Sequence, residues 1–179
     1  METPMFIPAR HFTTANRKAV DLIVIHSAEI GESLDGAEAL MRACAVSERV
    51  ASWHFAVDAD SVTQSVKEED IAFHAPGANA NGIGIELCGR ARQTAAEWDD
   101  DFSRSVIARA ANLTAAICRR WGIPAAFVAA DGLLRGNRGI TTHREVSVAF
   151  KKSTHEDPGP NFPLQRFLDL VRQYLAQVA

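Results

Sequence analysis

No apolar run in this chain approaches the roughly 20 residues that a membrane-spanning helix needs, so stable insertion into a bilayer is not expected. A strong charge of either sign is also missing. The 19 basic and 22 acidic side chains leave a net charge of −3, which gives no general attraction to nucleic acid or to anionic membrane. The opening Met-Glu-Thr-Pro-Met-Phe-Ile-Pro has neither the basic start nor the apolar centre of a secretory signal, and a cytoplasmic location is expected. Cysteine is scarce: Cys44, Cys88 and Cys118 are an odd number and none lies in a C-x-x-C pair. That excludes a disulfide scaffold and a cysteine-based zinc finger, and leaves three buried thiols. No repeat, low-complexity tract or linker interrupts the 179 residues, which read as one domain with an extended arm over residues 1–20.

What is present is an interleaving of strand and helix patterns. Asp21 to Ser27 holds four consecutive aliphatics between polar residues, the mark of a strand buried on both faces. His26 stands at its C-terminal end, the edge at which open α/β sheets carry their sites. Ala37 to Ala45 reads as a short helix, and Ser52 to Asp58 as a second strand with Val62 to Val66 returning as its hairpin partner. The charged run Lys67 to Asp70 reads as a solvated loop. Ile83 to Cys88 is a third strand, with Ile83, Ile85 and Leu87 on one face and Gly84, Glu86 and Cys88 on the other. Thr94 and Glu97 have capping-box spacing, which predicts a long helix from Thr94 to Trp121, stopped by Gly122 and Pro124. A short helix is expected over Ala129 to Leu134, and a final one after Pro163. The pattern predicts a three-layer α/β domain.

The stretch Thr141 to Pro163 carries the densest chemistry: His143, His155, Asp157, two lysines and three prolines. It is too punctuated by Pro and Gly to be one helix or one strand. Asp157-Pro158-Gly159-Pro160 reads as a rigid turn that can hold a carboxylate at a set angle. We read His26, His143 and Asp157 as the three protein ligands of a Zn2+ ion, the number a catalytic zinc site uses. A lone histidine is more often structural, and the ligands are dispersed, not packed into an H-E-x-x-H unit. Glu86 is the general-base candidate. Its neighbours Gly84 and Cys88 are small and leave room for substrate, whereas a bland reading pairs it with Arg90 at the surface. His155 is either a solvent-facing loop residue or a donor to an oxyanion. Trp53 and His54 alternate, so one should line the cleft and the other the interior. His74 is either a cleft-rim residue or a structural hydrogen-bonder. The loop from Asn79 through Asn81 to Gly82 and the loop after Gly31 are expected as groove walls.

In order, the strand ending at His26, the Ser-Trp-His-Phe-Ala-Val-Asp strand, the His74-Ala-Pro-Gly loop, the Gly-Ile-Gly-Ile-Glu strand, Thr-Thr-His-Arg-Glu-Val-Ser and His-Glu-Asp-Pro-Gly-Pro resemble the zinc-dependent N-acetylmuramoyl-L-alanine amidases of the type 2 family. The closest likeness is to amidase domains of endolysins from phages of actinobacteria, which carry segments similar to Ala95–Trp98, Cys118–Arg120 and Ser147–Phe150. The resemblance spans Asp21 to Leu168. It implies the peptidoglycan-recognition-protein fold, a mixed central sheet with helices on both sides. It implies His26, His143 and Asp157 as zinc ligands and Glu86 as the base. At the position of His155 several relatives carry a transition-state lysine, so a histidine there acts only as its imidazolium. Some relatives have a tyrosine where Trp53 stands. The implied reaction is hydrolysis of the amide between N-acetylmuramic acid and L-alanine in bacterial peptidoglycan, by a monomer released to the wall. The rival readings are a non-catalytic peptidoglycan-binding module, or the same chemistry in an antibacterial effector or a cell-wall recycling enzyme.

Overall fold

The computed structural model describes residues 3–177. Its centre is a six-stranded mixed sheet in the order β1-β4-β3-β5-β2-β6. The strands are β1 (Met5–Phe6), β2 (Leu22–Ser27), β3 (Phe55–Val57), β4 (Val62–Gln64), β5 (Gly82–Leu87) and β6 (Gly139–Thr142). Among the described strands of the sheet, only β3 and β4 pair antiparallel, as the expected hairpin. β2 lies between β5 and β6, parallel to both.

The period of two along β2 and β5 builds the layers. Ile23, Ile25, Ile83, Ile85 and Leu87 pack on one face beneath α2 (Asp101–Trp121) and α5 (Leu164–Ala176). On the other face Leu22 and Val24 meet Leu133 of α3 (Ala130–Leu134) and Val146 of α4 (His143–Phe150). There too α1 (Gly36–Val46) sets Ala37 and Met41 against Ala56 and Cys88. Both faces of β2 are covered, and all six of its residues are buried. The fold is the mixed α/β sandwich expected, with helices on both sides.

Two local expectations are corrected. The Thr94–Glu97 box forms, with the Thr94 N–H donating to Glu97 Oε2 at 2.7 Å, but it closes only a 3-10 turn at Glu97–Asp99. α2 starts at Asp101, where the Asp100 carboxylate caps it by accepting from the Ser103 N–H at 2.7 Å. Residues Lys67 to Asp70 are not a free solvated loop. The Glu68 carboxylate accepts from Arg120 and from the Trp121 indole, and Asp70 is buried and accepts from the Ala15 N–H. The stretch Thr141 to Pro163 is, as expected, neither one helix nor one strand: β6 ends at Thr142, whose hydroxyl caps α4 by accepting from the Glu145 N–H at 3.3 Å, and a loop follows. Thr142-His-Arg-Glu145 is itself a capping-box spacing, and that signal could have found the helix.

Candidate functional site

The strand register assembles the site before any side chain is considered. His26 lies directly opposite Glu86 across the β2–β5 ladder, and Ile25 lies opposite Thr142 across β2–β6. His26, Glu86 and His143 therefore stand side by side at the carboxyl edge of three adjacent parallel strands, where open α/β sheets bind ligands. Asp157 arrives from the loop after α4, anchored by its own carbonyl, which accepts from the Arg144 N–H at 3.1 Å. The turn that follows tolerates no side chain at Gly159: φ is +93°, and a Cβ would fall 1.8 Å from the Ala91 carbonyl oxygen.

The Asp157 carboxylate lies between two imidazoles, with Oδ2 3.0 Å from Nδ1 of His26 and Oδ1 3.1 Å from Nδ1 of His143. One ligand atom from each of these three buried residues lies within 4.8 Å of the others. Burial opposes the charge on Asp157, yet the hydrogen-bonding histidines outweigh it and hold the carboxyl well below the usual range. Burial also pushes the His26 pKa down, against the Asp157 carboxylate, which favours the neutral imidazole that binds a metal. Two imidazole nitrogens and one ionised carboxylate, converging in a buried pocket, form a donor set that fits zinc.

Glu86 is 4% exposed, and its Oε2 has no hydrogen-bond partner among the described residues. Its Oε1 is 3.8 Å from Nδ1 of His26. Burial first, then the negative charges of Asp157 and Glu29, push its carboxyl well up, while the facing Trp53 indole pulls it partly back. This is the environment of a proton acceptor, not of a surface glutamate paired with Arg90. His155 stacks on His143, with ring centroids 4.4 Å apart and planes 13° apart, and its side chain is half exposed at the mouth of the site. The cleft above these groups holds about 490 Å³ and is walled by Leu40, Val50, Trp53, Phe73 and Pro76, with Arg49 and Lys152 at its lips.

Of the substrate-contact candidates, Trp53 and His74 line this cleft and His54 and Asn81 do not. His54 is fully buried, accepting on Nδ1 from the Gly84 N–H at 3.0 Å. Asn81 precedes β5, and its carbonyl accepts from the Asp21 and Leu22 N–H groups at the opposite edge of the sheet. The loop at Gly31 lines a separate depression with Arg90 and Gln93. Nor does Gly84 leave space for substrate: a Cβ there would meet the His74 ring at 2.6 Å, so the missing side chain is replaced by His74. Sequence reasoning passed over Ser153, whose hydroxyl lies 3.4 Å from Nε2 of His143, and took Asn79 only as a groove wall, whereas its Oδ1 accepts from the His74 and Ala75 N–H groups. The pattern His-x-x-x-x-Asn was the available signal for the second.

His54 carries a testable consequence. Burial, then the Arg17 guanidinium, lowers its pKa from 6.5 to about 3. Below pH 6.5 the unfolded chain takes up a proton that the folded chain refuses, so this contribution to stability is complete above 6.5 and is lost as pH falls toward about 3. The expected slope is up to about 1.4 kcal/mol per pH unit. Urea denaturation of the metal-free protein at several pH values should show it, and His54→Asn should flatten the curve. Parallel curves for the two proteins would count against this assignment.

Comparison with known proteins agrees with the geometry. A curated relative, the probable N-acetylmuramoyl-L-alanine amidase of Bacillus licheniformis, is 29% identical over 94 residues, covering 46% of this chain and 25% of its own length. The matched region is thus about a quarter of that relative. Among solved structures, the Staphylococcus aureus hydrolase AmiA in complex with its ligand superimposes with a TM-score of 0.75 at 19% identity, covering 97% of this chain and 83% of AmiA. A mutant endolysin from Bacillus subtilis gives a TM-score of 0.60 at 18% identity over 100% of both chains. At these identities the structures show the fold alone. The family profile described as N-acetylmuramoyl-L-alanine amidase matches residues 16–160, most of the sequence, and the chain belongs to that family.

Proposed function

We propose that this chain, acting as a single catalytic domain and a monomer, is a zinc-dependent hydrolase of bacterial peptidoglycan. It would cleave the amide between the lactyl group of N-acetylmuramic acid and L-alanine of the stem peptide. One observation carries the reading: three buried donors, His26, His143 and Asp157, converge within 4.8 Å beside a buried carboxylate with an unpartnered oxygen. A non-catalytic binding module would have no use for that combination.

A zinc ion held by these residues supplies Lewis acidity toward a carbonyl and lowers the pKa of a coordinated water. The protein's own groups do the rest. Glu86 takes the proton of the attacking water on its free Oε2 and returns it to the leaving amide nitrogen, which departs as the free amine of L-alanine. Its raised pKa suits both halves of that task, since the same group must bind the proton and then release it. The exposed His155, in its imidazolium form, donates to the oxygen that gains negative charge when the carbonyl becomes tetrahedral. Trp53 walls the cleft beside Glu86, so substrate entering against the indole displaces bulk water from the base. Arg49 and Lys152 at the lips suit the carboxylates of a stem peptide.

Incubation with purified peptidoglycan and zinc should release new alanine amino termini without new reducing sugar ends. Appearance of reducing ends alone, or of no amine, would reject the proposal. His155→Ala should lower kcat by about 10²–10³-fold, the usual cost of one oxyanion donor, and His155→Lys should restore much of it. Equal activity in all three proteins would remove His155 from the mechanism. The segments Ala95–Trp98, Cys118–Arg120 and Ser147–Phe150 further support the setting of a phage or prophage endolysin. Cytoplasmic expression should then be harmless until the membrane is permeabilised, after which cells should lyse.

A further inference from the structure

We propose that His74 is a positioning residue: its Nδ1 accepts the Nε2–H of His26 and so fixes the ring orientation and tautomer of that ligand. The inference rests on the reading of His26 as a zinc ligand. Nε2 of His26 lies 3.1 Å from Nδ1 of His74, in a buried contact between rings set edge to face with centroids 5.2 Å apart. His26 has two ring nitrogens, and Asp157 lies on the Nδ1 side. When Nδ1 serves as a metal ligand instead of donating to Asp157, its lone pair is free and the single proton of the neutral ring sits on Nε2. A proton on that nitrogen needs an acceptor, because the ring is 1% exposed and water cannot serve. His74 Nδ1 is that acceptor. Its own proton then sits on Nε2, on the side of the Gly82 carbonyl but without a hydrogen bond among the described residues.

The surroundings hold His74 in place. The ring lies over Gly84, where any Cβ would collide with it. Its backbone N–H and that of Ala75 are both tied to Asn79 Oδ1, at 3.1 and 2.7 Å. Behind it stands His54, with ring centroids 5.7 Å apart, locked by the Gly84 N–H on one nitrogen and lying 2.9 Å from the Arg17 guanidinium on the other. Arg17 in turn donates to the carbonyls of Glu68 and Gly82 at 2.9 and 3.0 Å. A chain of fixed groups thus runs from the edge of the domain to the back of a metal ligand. This also accounts for the glycine at 84 and for His54, neither of which faces the substrate cleft. Partners of this kind typically change metal affinity by about 10–100-fold when removed.

The test compares zinc affinity, by competition with a chromophoric chelator, in the wild-type chain, His74→Leu, His74→Asn and Gly84→Ala. Leucine fills the space but cannot accept a hydrogen bond, whereas asparagine can. His74→Leu is expected to bind zinc about 10–100-fold more weakly, His74→Asn to recover to within a few-fold of wild type, and Gly84→Ala to weaken binding by displacing the ring. Thermal melts of the metal-free proteins supply the control for a purely structural effect. Wild-type affinity in His74→Leu would overturn the inference, as would equal weakening in the leucine and asparagine variants matched by an equal loss of metal-free stability. Failure of the wild-type chain itself to bind zinc would instead defeat the metal reading on which the inference stands.

Discussion

His143→Ala is expected to abolish both zinc binding and amide hydrolysis. His143 is the first residue of α4, and its Nδ1 is 3.1 Å from Asp157 Oδ1 and within 4.8 Å of the other donors. Removing it leaves two protein ligands where a catalytic zinc needs three. The loss of affinity should exceed the 10–100-fold typical of a partner beyond the ligands themselves. The fold should survive, because the ring sits at the sheet edge and outside the main core beneath α2 and α5. Thermal melts with and without zinc separate the two effects. Ligand that binds only the folded state raises its stability, so zinc should raise the midpoint of the wild-type protein and leave that of the variant unchanged. A variant that still binds one zinc and still releases alanine amines would remove His143 from the site, and with it the proposed reaction.

The parts of this site that were legible in the sequence are those whose signal is local. Leu22 to Ile25 could only be a strand buried on both faces, and the alternation from Ile83 to Leu87 put Glu86 on the face opposite the main core. The misread parts depend on which end of the sheet a loop occupies. Asn79 to Gly82 is as polar and glycine-rich as a binding loop, but it enters β5, and β5 runs parallel to β2. A residue entering a parallel strand must lie at the edge opposite the one where His26 leaves its neighbour. Composition is blind to that, whereas direction settles it. The β6–α4 unit was hidden for another reason. Two of the four β6 residues are threonines buried by hydrogen bonding and not by apolarity, Thr141 donating to the Val128 carbonyl at 2.8 Å. A hydrophobic pattern cannot register a strand held that way. His54 shows a third limit: alternation separates Trp53 from His54 but does not say which one meets the cleft.

Glu86→Gln should separate binding from chemistry: zinc affinity close to wild type, with kcat lower by about 10²–10⁴-fold, the usual worth of a positioned general base. The amide has the shape of the carboxyl and replaces an oxygen that has no partner among the described residues, so no hydrogen bond is broken. Stability gives an independent check. The Glu86 pKa is raised in the folded metal-free chain, chiefly by burial. Above the ordinary glutamate range the unfolded chain has released this proton while the folded chain retains it. The native state therefore loses stability as pH rises from there toward the raised folded value. Glutamine carries no such proton. Between pH 5 and 8 the midpoint of the metal-free variant should fall less steeply with pH than that of the metal-free wild type. Activity at the wild-type rate in the variant would show that the proton goes elsewhere. A variant that loses zinc along with activity would show that Glu86 belongs to the donor set and not to the base.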